Sequence, residues 1–402
     1  MRYSFSALAL ALTACATAPS PAPPSPAAEG PKIVAYLASW GVRSKGTRIA
    51  ELPGDRLTHL IYAFANVGAD GMMALEDPCL DAGRCGSGSA TSTGGNFAQL
   101  RALKERHPHL KVLVAVGGWT RSVNFSNAAL TPESRQRFAQ SGVERFLRGW
   151  PGLFDGFDID WEYPVFGGAR ENVTRPEDRQ NFTLLLTELR RQLDAEGARD
   201  RRRYLLTAAT AAGPRLVASL ELDRVAPVLD WLNVMTYDYH SGSAIAHFNA
   251  PLHAAASDPT PFYNVDSTVA LYLRGGVPAR KIVIGVPFYG RAYGGVHGMN
   301  GGLFQPATPP PREWATGLDY RQIAARNLTT QGFTRFWSSE ARVPWLHNDS
   351  LGVFVSYDDA ESIGLKAEYA RERGLGGVMI WEIGGDDGTL LRAIHDRLNA
   401  PR

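Results

Sequence analysis

Residues 155–164 read Asp155-Gly156-Phe157-Asp158-Ile159-Asp160-Trp161-Glu162-Tyr163-Pro164, carboxylates threaded between large apolar side chains. In an extended strand alternate side chains share a face. Asp158, Asp160 and Glu162 therefore point one way, and Phe157, Ile159 and Trp161 the other. A strand with one fully apolar face and one fully acidic face suits a parallel barrel. The apolar set meets the surrounding helices, and the acids line the lumen toward its carboxyl-terminal mouth, where barrel active sites are built. Glu162 comes last and reaches the open end; Asp155 falls off this face and opens the strand.

Same-face neighbours are about 6–7 Å apart along a strand. Charges that close in a partly buried site do not all ionise, so a proton is shared and the acid nearest the mouth has a raised pKa. That is what a general acid needs at neutral pH. An Asp-x-Asp-x-Glu run could also hold Ca²⁺ or Mg²⁺, but calcium loops are flexible and glycine-punctuated, whereas this is an apolar strand. No metal is expected.

Working outward, short apolar and β-branched runs recur at Ile33–Ala38, His59–Asn66, Lys111–Val116, Gly156–Asp160, Tyr204–Thr210, Trp231–Thr236, Lys281–Pro287 and Gly377–Trp381. Helical spacing appears between them. In residues 176–197, Phe182, Leu185, Leu186, Leu189 and Leu193 fall on one face, with Pro176 suited to a first turn and Gly197 to a stop. Eight strands alternating with helices predict an α/β fold, a (β/α)₈ barrel. A doubly wound open sheet fits less well, because no glycine-rich phosphate turn follows the first strand.

The gap between the seventh and eighth strands is too long for one connection. It ends in a helix-like segment, 359–374. Residues 292–355, rich in Gly, Pro and aromatics, are read as a small α+β insertion subdomain on the top face. The barrel then comprises 32–291 and 356–402.

The chain of 402 residues is 44% hydrophobic and 20% charged, with a net charge of +2. That composition is globular, and the balance implies no polyanion partner. The densest basic run, Arg199 to Arg203, has no aromatic residues beside it and is read as a solvated loop. The first residues, MRYSFSALALALTAC, carry a basic start and an apolar run too short to span a bilayer, which suits an export signal over 1–14. Leu12-Thr13-Ala14-Cys15 resembles the lipobox of bacterial lipoproteins, with Cys15 as the lipidated residue. Residues 15–31, rich in Pro, Ala and Ser, form an extended tether. The expected location is outside the cytoplasm, anchored to a bacterial membrane (outer membrane or cell surface), or otherwise periplasmic or secreted. Cys79 and Cys85, six apart in a Gly/Asp-rich loop, suit a disulfide clip in an oxidising compartment.

The segment DGFDIDWEYP resembles the DxxDxDxE signature of the family-18 glycoside hydrolases, the chitinases. AYLASW, YAFANV, AVGGWT, MTYDYH, GVPFYGR, YDD and GGVMIWE resemble further family stretches in the expected order. The resemblance covers nearly everything from Lys32 onward and implies an insertion after the seventh strand. It also implies substrate-assisted, retaining hydrolysis of β-1,4 bonds between N-acetylglucosamine units, with no cofactor. The implied catalytic set is Glu162 as acid and then base, Asp160 on the acetamido N–H, Asp158 sharing a proton with Asp160, and Tyr237 on the acetamido carbonyl. The implied substrate-binding residues are Asp238, Met235, Trp381, Trp119, Tyr36, Phe64, Tyr163 and Arg291. Arg291 has a plainer use, pairing with an acid; Trp381 and Phe64 could be barrel filler.

Two departures stand out. The family's third strand ends Ser-x-Gly-Gly, and this one ends Ala115-Val116-Gly117-Gly118, removing a hydroxyl expected beside Asp158; a neighbour such as Tyr36 is the alternative donor. Glu382 after Trp381 is also unusual and is expected to alter the polarity of the mouth. The expected partner is chitin or chitooligosaccharide, met by a monomer, with the membrane reached through Cys15 and no nucleic acid. A same-family enzyme acting on N-glycan cores or peptidoglycan is the rival, and a non-catalytic lectin is disfavoured by the presence of Glu162.

Overall fold

The computed structural model describes residues 30–85, 94–315, 318–326 and 328–401. The expected signal, Cys15 and the tether up to residue 29 lie outside the described residues.

Eight parallel strands close into a barrel: Lys32–Ala38, His59–Val67, Lys111–Gly117, Gly156–Asp160, Leu205–Thr210, Trp231–Val234, Ile282–Pro287 and Gly377–Trp381. Each pairs with the next, and the first pairs with both the second and the eighth. Gly156–Asp160 and Gly377–Trp381 match the sequence expectation at both ends, and the other six differ from it by one or two residues. A short strand not foreseen, Met73–Leu75, pairs antiparallel with the second.

The alternation in the fourth strand partitions the core as its pattern requires. Phe157, Ile159 and Trp161 belong to the large apolar layer between strands and helices. Trp161 stacks on Phe125 and meets Phe182 edge-on, while Phe157 meets Phe146 edge-on. The lumen has its own smaller cluster, including Tyr36, Phe64, Ala115, Trp231 and Met379. Asp155 is buried at the entry to the strand, where Lys104 and Arg202 both pair with it and the Val112 N–H donates to it at 2.8 Å.

The long helix runs Asp178–Asp200 and passes through Gly197, where the spacing suggests a stop. The missing Cβ at Gly197 serves packing instead: a methyl there would lie 2.3 Å from the Arg202 carbonyl oxygen. The chain turns at Arg201, in the left-handed region. The helix before the eighth strand is Ala360–Glu372, capped by the Asp359 side chain.

Between the seventh and eighth strands an antiparallel sheet forms from Tyr289–Tyr293, Leu318–Asp319, Thr334–Ser338, Val343–Asn348 and Val353–Ser356. Its first strand takes in Tyr289, Gly290 and Arg291, and its last ends on Ser356, residues that the spacing assigns to the barrel. Phe248, from the loop after the sixth barrel strand, packs with Tyr293, Trp345 and Phe354 of this sheet. Cys79 and Cys85 are disulfide-bonded.

Candidate active site

The fourth strand carries its three inward acids upward in order of exposure. Asp158 is fully buried, Asp160 is 3% exposed, and Glu162, just past the strand end, is half-buried. Asp158 accepts from three donors: the Tyr36 hydroxyl at 2.5 Å on one oxygen, and Thr207 Oγ1 at 2.5 Å and Asn233 Nδ2 at 3.0 Å on the other. The Asn233 amide is oriented by Trp231, whose indole N–H donates to Asn233 Oδ1 at 2.9 Å. Ala115 lies in register beside Asp158. The hydroxyl missing there leaves neither oxygen of Asp158 without a donor, because Thr207 reaches it from the adjacent fifth strand and Tyr36 across the lumen from the first. Thr207 and Asn233 were not singled out from sequence; both occupy alternate, inward-facing positions of barrel strands.

Asp160 Oδ1 is buried without a hydrogen-bond partner. Burial, then the charges of Glu162 and Asp158, hold the Asp160 carboxyl well above the carboxylate range. Burial also raises Asp158, opposed by its three donors. Glu162 is pushed up to about 7, chiefly by burial. The acid nearest the mouth therefore holds a proton that it can release near neutral pH.

The loop after the third strand fixes the backbone of Glu162. Ser122 Oγ accepts from the Glu162 N–H at 2.9 Å and donates to the Gly118 carbonyl at 2.9 Å. Asn172 Nδ2 donates to the Glu162 carbonyl at 2.6 Å. Gly117 has φ 110°, and a Cβ there would stand 2.2 Å from the Asp160 carbonyl oxygen. The glycine pair in AVGGWT thus lets two strand ends approach at the acidic line.

Tyr237 follows the sixth strand; its hydroxyl has one weak contact, Met379 Sδ at 3.9 Å. Burial keeps it a neutral phenol. Met235 and Trp381 pack against the lumen cluster. Asp238 does not present a free charge, since Arg291 grips it through two bonds at 2.7 and 2.5 Å. Arg291 also lies over the Tyr289 ring. Tyr163 is half-buried beside Glu162.

Trp381, at the end of the eighth strand, stacks on Phe64 with centroids 5.6 Å apart and meets Tyr36 at 5.5 Å. Phe64 stacks in turn on Trp40 at 6.2 Å. This ladder runs from the lumen to the surface. Trp40, 37% exposed, was not singled out from sequence, although it closes the AYLASW stretch. Trp119 is 54% exposed at the rim after the third strand. Glu382 does not act as a free charge at the mouth. It accepts from Lys45 Nζ at 2.5 Å and from the Gly384 N–H at 2.9 Å. Lys45 also bonds Asp319 of the inserted sheet at 2.7 Å.

Together these groups form an acid poised near neutrality above a buried carboxyl pair, beside a floor of aromatic faces. Aromatic faces suit sugar rings, and the acid can protonate a leaving oxygen.

Comparison with known proteins agrees with this geometry. The family description "Glycosyl hydrolases family 18" matches residues 32–386. Chitinase A1 of Niallia circulans is 39% identical over 408 residues, a match covering 91% of this chain and 58% of that protein. Chitinase B of Serratia marcescens is 32% identical over 414 residues, covering 88% and 78%. Among solved structures, chitinase ChiA74 from Bacillus thuringiensis superposes with a TM-score of 0.84 at 35% identity, covering 92% of this chain and 70% of that one. A family 18 N-acetylglucosaminidase from Paenibacillus barengoltzii superposes at 0.78 with 34% identity, covering 92% and 100%. With the match running from the first barrel strand past the eighth and taking in the whole acidic line, the chain belongs to glycosyl hydrolases family 18.

Proposed function

We propose that this chain is a chitinase that hydrolyses β-1,4 bonds between N-acetylglucosamine units of chitin or chitooligosaccharides with retention of configuration. The observation that carries the reading is the single strand delivering Asp158, Asp160 and Glu162 to the mouth, with Glu162 held at about 7.

In the first step Glu162 gives its proton to the bridging oxygen as the bond to C1 breaks. The 2-acetamido oxygen of the same sugar attacks C1 and closes an oxazolinium ring, so no protein carboxylate becomes bonded to the sugar. The Tyr237 hydroxyl donates to the acetamido carbonyl. Asp160 accepts the acetamido N–H through the oxygen that is otherwise unpartnered, and its charge balances the ring once its proton moves toward Asp158. Water then adds to C1, Glu162 takes the water's proton, and the ring reopens. Trp381 floors the reacting sugar, Trp119 stacks beyond the cleaved bond, and Met235, Tyr36, Phe64 and Tyr163 line the subsites. The Arg291–Asp238 pair holds the wall beside Tyr237.

The same-family rival, an endo-β-N-acetylglucosaminidase or peptidoglycan-directed hydrolase, shares this chemistry. The inserted sheet and the ladder ending at Trp40 favour an extended linear chain. A lectin role is disfavoured, because a binding protein has no use for an acid held near 7 at the mouth. The reading extends to a monomer exported from the cytoplasm: the signal-like run over 1–14 and the lipobox-like Leu12-Thr13-Ala14-Cys15 support a lipid anchor on a bacterial membrane, or otherwise a periplasmic or secreted location.

Glu162→Gln keeps the shape and removes the transferable proton. Turnover of chitooligosaccharides should fall by about 10²–10⁴ or more, with binding by calorimetry retained. Near-normal turnover by this variant removes Glu162 from its role.

A further inference from the structure

We propose that the amino-terminal face of the barrel is a docking surface for a bilayer containing anionic lipid, which holds the mouth pointing away from the membrane. The whole-chain charge of +2 conceals a polar distribution. All eight segments that enter the barrel strands lie on one face. With the first residue of each strand they hold eight Lys and Arg against three Asp, leaving aside Arg373, which is engaged with Asp266. The helices leading into these segments add Arg106, Arg145 and Arg274 in their last turns, against Glu105 and Glu372; Arg148 there is engaged with Glu196. The acidic line, Asp238 and Glu382 stand at the opposite end.

The basic groups are near neighbours. Lys281 senses the charges of Arg280 and Arg203, Lys104 those of Arg202 and Lys111, and His59 those of Lys32 and Lys111. Part of this charge is used internally: Arg202 and Lys104 hold Asp155, Arg203 holds Asp230, and Lys281 caps the carbonyls of Ala226 and Leu229. Lys111, Arg201 and Arg280 are exposed. They stand at the third, fifth and seventh strands and so spread around the face.

Lys32, which receives the Pro/Ala/Ser tract, opens the first strand on this same face. A tract from Cys15 to Lys32 can span at most about 60 Å, so a lipid on Cys15 would keep this face within reach of the bilayer. Each basic residue near an anionic membrane surface adds a modest, salt-sensitive attraction. The sense of orientation rests on the anchor reading; the affinity of the face for anionic lipid does not.

The test uses the full chain as Cys15→Ser, which cannot be lipidated. It should cosediment with phosphatidylcholine vesicles containing phosphatidylglycerol, leave pure phosphatidylcholine vesicles in solution, and release at high salt. Adding Lys111→Glu, Arg201→Glu and Arg280→Glu should lower retention by at least about tenfold, with turnover of soluble chitooligosaccharides unchanged. Equal retention on neutral and anionic vesicles, or retention unchanged in the charge-reversed protein, overturns the proposal. So does binding to duplex DNA without binding to anionic vesicles. Membrane fractionation of the wild-type chain tests the anchor separately.

Discussion

Asp158 decides where the shared proton rests. The Asn233 amide, fixed by the Trp231 N–H on its own oxygen, can only donate to Asp158, and the hydroxyls of Tyr36 and Thr207 donate there as well. These bonds favour the ionised form of Asp158 against the burial that raises it, so the shared proton rests more on Asp160, which burial and the charges of Glu162 and Asp158 hold well above the carboxylate range and whose Oδ1 is left without a partner. Ala115→Ser would add a fourth donor where both oxygens are already served. Its pH–rate profile should superimpose on that of the wild type, with stability lowered by about 1–2 kcal/mol for the buried hydroxyl. Asn233→Leu is the contrast. Asn233 lowers the pKa of Asp158, so its loss should raise that pKa and move the acidic limb of the profile to higher pH. A shifted limb in the first variant, or an unshifted one in the second, would contradict this placement of the proton. The sequence carries the acids themselves, because strand alternation is local. The donors come from three other strands, and no local pattern ties Tyr36, Thr207 or Asn233 to residue 158.

The fourth strand is only as useful as the loop that seats its last acid. Ser122 bridges the Glu162 N–H and the Gly118 carbonyl, joining the ends of the third and fourth strands. Ser122→Ala leaves that N–H unpaired and frees Glu162 to drift; a shift of 1 Å at an acid is felt mainly in kcat. A fall in kcat of about tenfold or more is expected, with KM within about twofold. A change confined to KM would place Ser122 in substrate binding instead. Ser122 is invisible in the sequence because it follows a loop whose path is set by tertiary contacts. Gly197 is misleading for a related reason: it looks like a stop but serves close packing against Arg202. The insertion is legible as an excess of length, whereas its strand limits are not. Tyr289–Arg291 continue a barrel strand in pattern, but in the fold Asp319 pairs with Tyr289, Leu318 with Gly290 and Ser356 with Arg291.

At the scale of the whole molecule, the acidic line sets function against stability. Burial raises Glu162 from the ordinary 4.5 to about 7. A group whose folded pKa is raised adds stability that is fully present below the unfolded pKa and is lost as pH rises through the folded one. For Glu162 that window runs from about 4.5 to about 7. In the unfolded chain the carboxyl ionises across this range, while in the folded chain it keeps its proton. The full loss above the window is on the order of 3 kcal/mol, shared with Asp160 because the two titrate together. Glu162→Gln cannot ionise and escapes this loss. Its urea midpoint should match that of the wild type near pH 4, separate from it through the window, and stay higher at pH 8 by an amount equivalent to about 1–3 kcal/mol. A variant no more stable than the wild type at pH 8 would mean that the folded barrel accommodates the ionised acid without penalty. Glu162 would then titrate near its ordinary value and could not hold its proton for the leaving oxygen at neutral pH.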